Sequence, residues 1–504
     1  MVTFTALVNG TIVTESESFL GTLLLQNDTI NSFLPPDSPL PEDCEVLDCT
    51  DRILFPGAID PHVHLEYFQG RRKIRSADDF YTGSVAAALG GTSCLIDFCE
   101  TNATLQNDFK TAIKERSELM NKAVLPIGLH MTVAGWDIKR MGETLNIEEF
   151  KEAMELGCPT FKIYTAYRGL CLTYEYVKTI ATQLSTHFGD QLMIIVHAED
   201  NETFEREVEK CKQQALRDPR YVVQTRPSEG EGLATYNVCN AVFSSKSNDS
   251  AESIRLHIVH VSCSESVKAI DEFKDSISVS GEACVQHLML TDEVYQHDDV
   301  VVRSAAVMAP VLRSSTHNDA LWTSLKQEQS VTMTATDHCP FQTAQRLEFQ
   351  QLPTEVPDMS EPTEVPAFWE MPGGGAGIQL RVPLLIEEAM KRGFDLPAIS
   401  RIIATNAAKR FGLYHRKGVL KVGHDADVII YNPKTVASVT LKGPSAAMTA
   451  SPGDVVENVD VSLYNNRIIK GYPESLFVEG KLVVKDFKFT GESSRGGFIK
   501  RKIQ

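Results

Sequence analysis

Apolar positions along this chain fall into two textures. Over the first fifty or so residues they form short alternating runs, Ala6-Leu7-Val8, Thr11-Ile12-Val13 and Thr22-Leu23-Leu24-Leu25, broken by Asn-Gly and Asn-Asp turn signals. The same texture returns at 427–433 and 476–484. Two β-rich ends around a long middle predict a small β-sandwich built from both termini, residues 1–55 and 414–490, followed by a C-terminal tail at 491–504. Between them, 56–413 alternates strand-like apolar runs (93–98, 125–130, 160–164, 193–197, 257–261 and 331–336) with amphipathic helical stretches such as 146–154. This alternation predicts an α/β fold, a (β/α)8 TIM-like barrel, in preference to an antiparallel fold. A doubly wound open sheet is the rival, but no Gly-rich dinucleotide fingerprint follows an early strand. Pro353-Thr354-Glu355-Val356-Pro357 recurs at 362–366 in an acidic, proline-rich segment, which is either a long loop on the face carrying the site or a solvated insertion.

Composition narrows the function classes. At 504 residues and 42% hydrophobic content the chain can bury a large core. A formal charge of −18 disfavours nucleic acid and anionic membranes as partners. The only basic cluster, Arg71-Arg72-Lys73-Ile74-Arg75, reads as a solvated or interface loop. The N-terminal residues lack the pattern of a secretory signal, and no apolar run is long enough to span a bilayer. Eleven cysteines, an odd number scattered through apolar stretches, read as reduced core residues of a cytoplasmic protein.

The densest chemical signal is the segment 57–66, where His62 and His64 follow a short apolar run. Residues i and i+2 of a strand share a face, so both imidazoles can project together toward a borderline-soft metal ion. On their own, two half-buried histidines explain the pair equally well. Lys162, His197, His260 and Asp337, however, also fall at strand ends, where barrel enzymes carry their reactive groups. Each has an ordinary alternative: a hydrogen-bonded core histidine, a helix-capping aspartate, a snorkelling or ion-paired lysine. Burying an ammonium in the run 160–164 is costly. A neutral lysine amine can instead add carbon dioxide, giving a carbamate able to bridge two cations.

These pieces resemble the amidohydrolase superfamily, and within it the cyclic amidases typified by dihydropyrimidinase and D-hydantoinase. The resemblance runs through most of the chain: Asp60 to Glu66, Ser76-Ala77-Asp78-Asp79-Phe80, Gly90-Gly91-Thr92, Phe161-Lys162 with Tyr167, Val196-His197-Ala198-Glu199, Val259-His260-Val261-Ser262, Asp337-His338-Cys339-Pro340-Phe341, the segment 404–409 and the segment 423–427. It implies two Zn2+ ions per subunit, with His62, His64 and Asp337 on the more buried ion, His197 and His260 on the more exposed one, and N6-carboxylated Lys162 bridging them. It further implies that Asp337 moves the proton from attacking water to the leaving nitrogen and that Tyr167 donates to the oxyanion. Tyr167, Ala309, Gly373, Leu65 and Phe68 would touch substrate, the loop around Tyr67 and Phe68 meeting the ring substituent.

The implied activity is ring opening of a cyclic amide, 5,6-dihydrouracil or dihydrothymine to the N-carbamoyl-β-amino acid, in pyrimidine catabolism. A hydantoinase or allantoinase-like enzyme is the alternative within the class. A non-catalytic cytoskeletal scaffold of the collapsin response mediator type is the alternative outside it, but those relatives have lost ligands that are all present here. Dihydroorotases carry a substrate-gripping arginine shortly after the paired histidines, whereas Leu65 and Glu66 follow here, which argues against an acidic pyrimidine. The chain departs from the family where substrate is held: Ala309-Pro310-Val311-Leu312-Arg313 replaces Ser-Pro-Pro-Leu-Arg, Gly373-Gly374 replaces Asn-Gly, and Gln379 stands where a glutamate is usual. The resemblance also implies a homotetramer.

Overall fold

The computed structural model of the chain describes residues 3–69, 72–101, 107–142, 144–167, 169–245, 254–347 and 367–503. The proline-rich segment 353–366 and Arg71 lie outside the described residues. Eight parallel strands follow one another around a nearly closed barrel: β1 (Ala58–Val63), β2 (Thr92–Cys99), β3 (Pro126–Thr132), β4 (Thr160–Tyr164), β5 (Met193–His197), β6 (Arg255–Ile258), β7 (Val279–Cys284) and β8 (Val331–Ala335). A parallel bridge between Val63 and His338 brings the last strand back to the first. Nearly every strand residue is buried, as expected of a parallel sheet covered on both faces.

Strand β7 escapes the apolar pattern because Ser280, Gly281 and Glu282 interrupt it. Its polar groups have partners inside the barrel instead, with Ser280 and Glu282 both hydrogen-bonded to His257 of β6. Strand β6 ends at Ile258, so His260 stands in the following loop and not within a strand at 257–261.

Both chain ends build a second, mostly antiparallel, nine-stranded sheet. Phe4–Val13, Ser18–Gln26, Thr29–Leu34, Glu45–Asp48 and Ile53–Pro56 join Val428–Ser438, Ile468–Val478, Lys481–Lys485 and Lys488–Phe489. Ile53–Pro56 pairs with Val428 to Tyr431, then runs through Gly57 into β1. A Cβ on Gly57 would lie 2.4 Å from Ser93 Oγ, so only glycine permits this close passage. Behind the seam, fully buried Lys417 meets Asp425, Asp427 and Glu479 at 2.8, 3.0 and 3.4 Å.

The C-terminal tail, which reads as a frayed or neighbour-seeking end, packs onto its own barrel. Gly497–Phe498 pairs in parallel with Pro126 and Ile127 at the start of β3. Ile499 and Ile503 join an apolar cluster with Ile59, Ile96, Met193 and Phe411. Buried Arg501 donates to Phe411 O, Leu129 O and Thr160 Oγ1. Among the described residues no helix is long and apolar enough to cross a membrane.

Candidate metal centre

The C-terminal ends of the barrel strands converge on one cluster. His62 lies in β1 and His64 one residue beyond it, and their Nε2 atoms each lie 3.1 Å from Asp337 Oδ1, two residues past β8. One ligand atom from each of the three falls within 4.8 Å of the others. A tetrahedral ion with bonds of about 2.0–2.1 Å holds its donors roughly 3.3 Å apart, so the spacing suits zinc. His197 ends β5, and its Nδ1 stands 2.9 Å from Nε2 of His260, a second pair at a comparable spacing. The His62 and His260 rings are 5.4 Å apart, which sets the two groups side by side.

Lys162 sits in the middle of β4, 1% exposed, with its Nζ 5.3 Å from the Phe98 ring and 5.1 Å from the Tyr164 ring. Burial pushes its ammonium down to about 7, against the pull of Asp337 and Glu282. An amine that gives up its proton near neutrality has the free lone pair that carbamate formation needs. The donor set, two histidine groups with a carboxylate and this lysine, therefore fits a pair of borderline-soft cations.

Carboxylates behind the imidazoles set their orientation. Glu282 accepts from His62 Nδ1 at 2.5 Å, turning His62 Nε2 toward Asp337. Glu199 accepts from His197 Nε2 at 2.7 Å, turning Nδ1 toward His260. Glu199 in turn is ion-paired with buried Arg226. Although burial opposes it, Asp337 and Glu282 raise His62 to about 9, while burial takes His64 down to about 4 despite its bond to Asp337. Burial would raise Asp337, but His62 and His64 hold its carboxyl well below the usual range. His260, Asp337 and Tyr167 adopt left-handed backbone with φ of 39, 50 and 75°, a strained conformation for non-glycine residues that concentrates at functional sites.

Tyr167 reaches the cluster: its ring lies 4.9 Å from that of His197, and the Arg226 guanidinium lies over it, 5.3 Å from the ring centroid. The segments carrying Ala309 and Gly373 also come together, Gly374 N donating to Val307 O at 3.0 Å and Cys339 N to Gly375 O at 2.9 Å, beside the Asp337 loop. Gly374 has φ 149°, and a Cβ there would lie 2.3 Å from Cys339 O. Phe68 is 48% exposed on a short hairpin, Phe68–Gln69 with Ile74–Arg75.

Leu65 does not join the site. As the residue after His64 it faces the opposite way, is fully buried in the hydrophobic core, and fills the space beside Gly83. Gln379 is likewise turned away, bonded to Val456 N and Asp454 O in the seam between the two sheets. Conversely, the sequence pattern assigns no role to Glu282, Glu199 or Arg226. The available signal was a carboxylate at a buried strand end, Glu282 in β7 and Glu199 two residues after His197.

Residues 53–471 match the amidohydrolase family. The chain is 31% identical to a D-hydantoinase of Geobacillus stearothermophilus over 98% of this chain and 95% of that one. It is 27% identical to dihydropyrimidinase 1 of Caenorhabditis elegans over 97% and 92% of the two chains. The crystal structure of a dihydropyrimidinase from Brevibacillus agri superimposes with a TM-score of 0.84 at 27% identity, covering 99% of both chains.

Proposed function

The chain belongs to the amidohydrolase family, and on that premise we propose that it hydrolyses a cyclic amide, opening 5,6-dihydrouracil or dihydrothymine to the N-carbamoyl-β-amino acid, with hydantoins as further substrates. The observation that carries the reading is the convergence of His62, His64, Asp337, His197 and His260 around buried Lys162. His62, His64 and Asp337 would hold one zinc ion, His197 and His260 a second, and Lys162, carboxylated on its amine, would bridge them. When bound, such ions polarise a carbonyl and lower the pKa of water from ~15.7 toward ~7.

The chain's own groups then divide the work. Asp337 Oδ1 faces both imidazoles, so Oδ2 is the oxygen that accepts a proton from the attacking water and returns it to the departing ring nitrogen. The Tyr167 hydroxyl donates to the carbonyl oxygen as negative charge develops there. Main-chain groups of the Ala309 and Gly373 segments hold the ring amide, and the Phe68 hairpin stands at the mouth. A collapsin-response-type scaffold needs none of these ligands, and the intact cluster argues against it.

Loss of ultraviolet absorbance of 5,6-dihydrouracil, hydantoin and allantoin, followed with zinc-loaded protein and a Lys162→Ala control, tests the reading. Turnover of dihydrouracil absent from the control is the expected result. Opening of a different ring alone would relocate the enzyme among cyclic amidases, and no turnover of any ring with two zinc ions bound would overturn the reading. We also propose a cytoplasmic homotetramer. Eleven free cysteines, nine of them buried, support a reducing compartment.

A further inference from the structure

We propose that Arg346 is a positioning residue for the substrate, fixing three loops into one platform whose main-chain N–H groups bind the ring amide. This deepens the cyclic-amide reading and rests on it. Arg346 lies in the short helix Thr343–Leu347 and is 3% exposed. Its Nη1 donates to Ser304 O, Pro372 O and Val307 O at 2.9, 3.0 and 3.3 Å, its Nη2 to Gly374 O at 2.5 Å, and its Nε to Phe341 O at 3.4 Å. These carbonyls belong to the Ala309 segment, the Gly373 segment and the loop that follows Asp337. One side chain thus ties together the loops beside the candidate metal centre.

A buried guanidinium is ordinarily offset by a carboxylate. Among the described residues Arg346 forms no ion pair, and main-chain oxygens satisfy it instead. Burial pushes it down only to about 10, so it stays a cation near neutral pH. The peptide unit is planar and trans, so a carbonyl and the next residue's N–H point in opposite directions. With the Pro372, Gly374 and Val307 carbonyls turned onto Arg346, the N–H groups of Gly373, Gly375 and Met308 face away from it. A ring carbonyl on that side accepts from N–H groups whose direction the arginine sets, which lets a platform of glycine and alanine recognise an amide without polar side chains. Lysine, a point charge in place of a planar fork, reaches fewer of these carbonyls.

The experiment measures KM, kcat and zinc content for the zinc-loaded parent, Arg346→Met and Arg346→Lys on whichever ring the parent opens, with urea midpoints alongside. Without Arg346 the loops lose the aim of one or two main-chain hydrogen bonds, so KM should rise about 5- to 30-fold in Arg346→Met and by less in Arg346→Lys. Zinc content should match the parent, and kcat per folded molecule should stay within about threefold. An arginine that served stability alone would lower the urea midpoint and the folded fraction but leave KM unchanged. A KM within about twofold of the parent in both variants therefore overturns the proposal, as does a fall in kcat without a rise in KM. Loss of zinc alongside the KM change would assign Arg346 to the metal centre and overturn it too. If Arg346→Met does not fold, Arg346→Lys decides by the same limit. If no ring is opened, the function reading fails separately, and equilibrium binding of 5,6-dihydrouracil to parent and Arg346→Lys decides this one: tighter binding by the parent beyond that limit supports it, and equal binding or none overturns it.

Discussion

Replacing Arg226 with glutamine would cut a buried connection between the candidate metal centre and Tyr167, the proposed oxyanion donor. The Arg226 guanidinium pairs with Glu199 and lies between two rings, 5.3 Å from the centroid of Tyr167 and 4.1 Å from that of Phe204. Glu199 accepts from His197 Nε2 at 2.7 Å, so one arginine supports both a candidate ligand and Tyr167. Removing the cation strands a carboxylate that is 4% exposed. Breaking a buried pair in this way costs about 3–5 kcal/mol. Loosening the carboxylate behind a metal-binding histidine lowers metal affinity about 10- to 100-fold, and losing the set of an oxyanion donor costs kcat up to about 10²- to 10³-fold. Arg226→Lys supplies the separating control: it keeps a charge for Glu199 but lacks the planar guanidinium that lies over the Tyr167 ring. The assays are urea unfolding, zinc content after dialysis against a chelator, and steady-state kinetics. Glutamine should lower all three readouts; lysine should retain most of the stability and zinc while kcat still falls. A glutamine variant that unfolds at the parent's urea concentration, keeps its zinc and turns over within twofold of the parent would refute the argument.

Three further outcomes follow from the same geometry. Lys162→Ala should abolish turnover and zinc pairing, with partial recovery on adding short carboxylic acids that fill the vacated space; full activity without them would remove the bridging role. Tyr167→Phe should lower kcat by about 10²- to 10³-fold with little change in KM, whereas a change confined to KM would make it a binding residue. Lys417→Met should destabilise the protein by about 3–5 kcal/mol at neutral pH by stranding buried Asp427 and leaving Asp425 and Glu479 to Arg416 alone. Burial alone would lower Lys417, but Asp427, Asp425 and Glu479 raise it above its ordinary 10.5, so its contribution is complete below that pH and is lost as pH climbs toward the folded value. Urea midpoints between pH 8 and 11.5 should therefore fall at the alkaline end in the parent and not in Lys417→Met; parallel profiles would contradict the assignment.

Much of the site was legible in the chain because the relevant signals are local. Strand periodicity alone sets His62 and His64 on one face, and the same rule, applied correctly, turns Leu65 into the core. The alternation of runs from 56 to 413 follows from covering a parallel sheet with helices, and it is written in every strand that is apolar throughout. Strand β7 was hidden because its polar residues are satisfied by a neighbour, and Ser280 and Glu282 look unfit for a core until His257 stands beside them.

What the sequence determined by itself, then, was the class of barrel and the side chains that converge on the candidate metal site, since spacing and residue type are properties of a short stretch of chain. Tertiary structure alone decided which groups meet. Closure of the barrel brings Asp337 to His62, Glu282 behind His62, and Arg226 between Glu199 and Tyr167. It also seats Arg501 among the carbonyls of Phe411 and Leu129. The reason is that a buried charge is tolerated only beside its partner, and that partner lies tens to hundreds of residues away, where no local pattern records it.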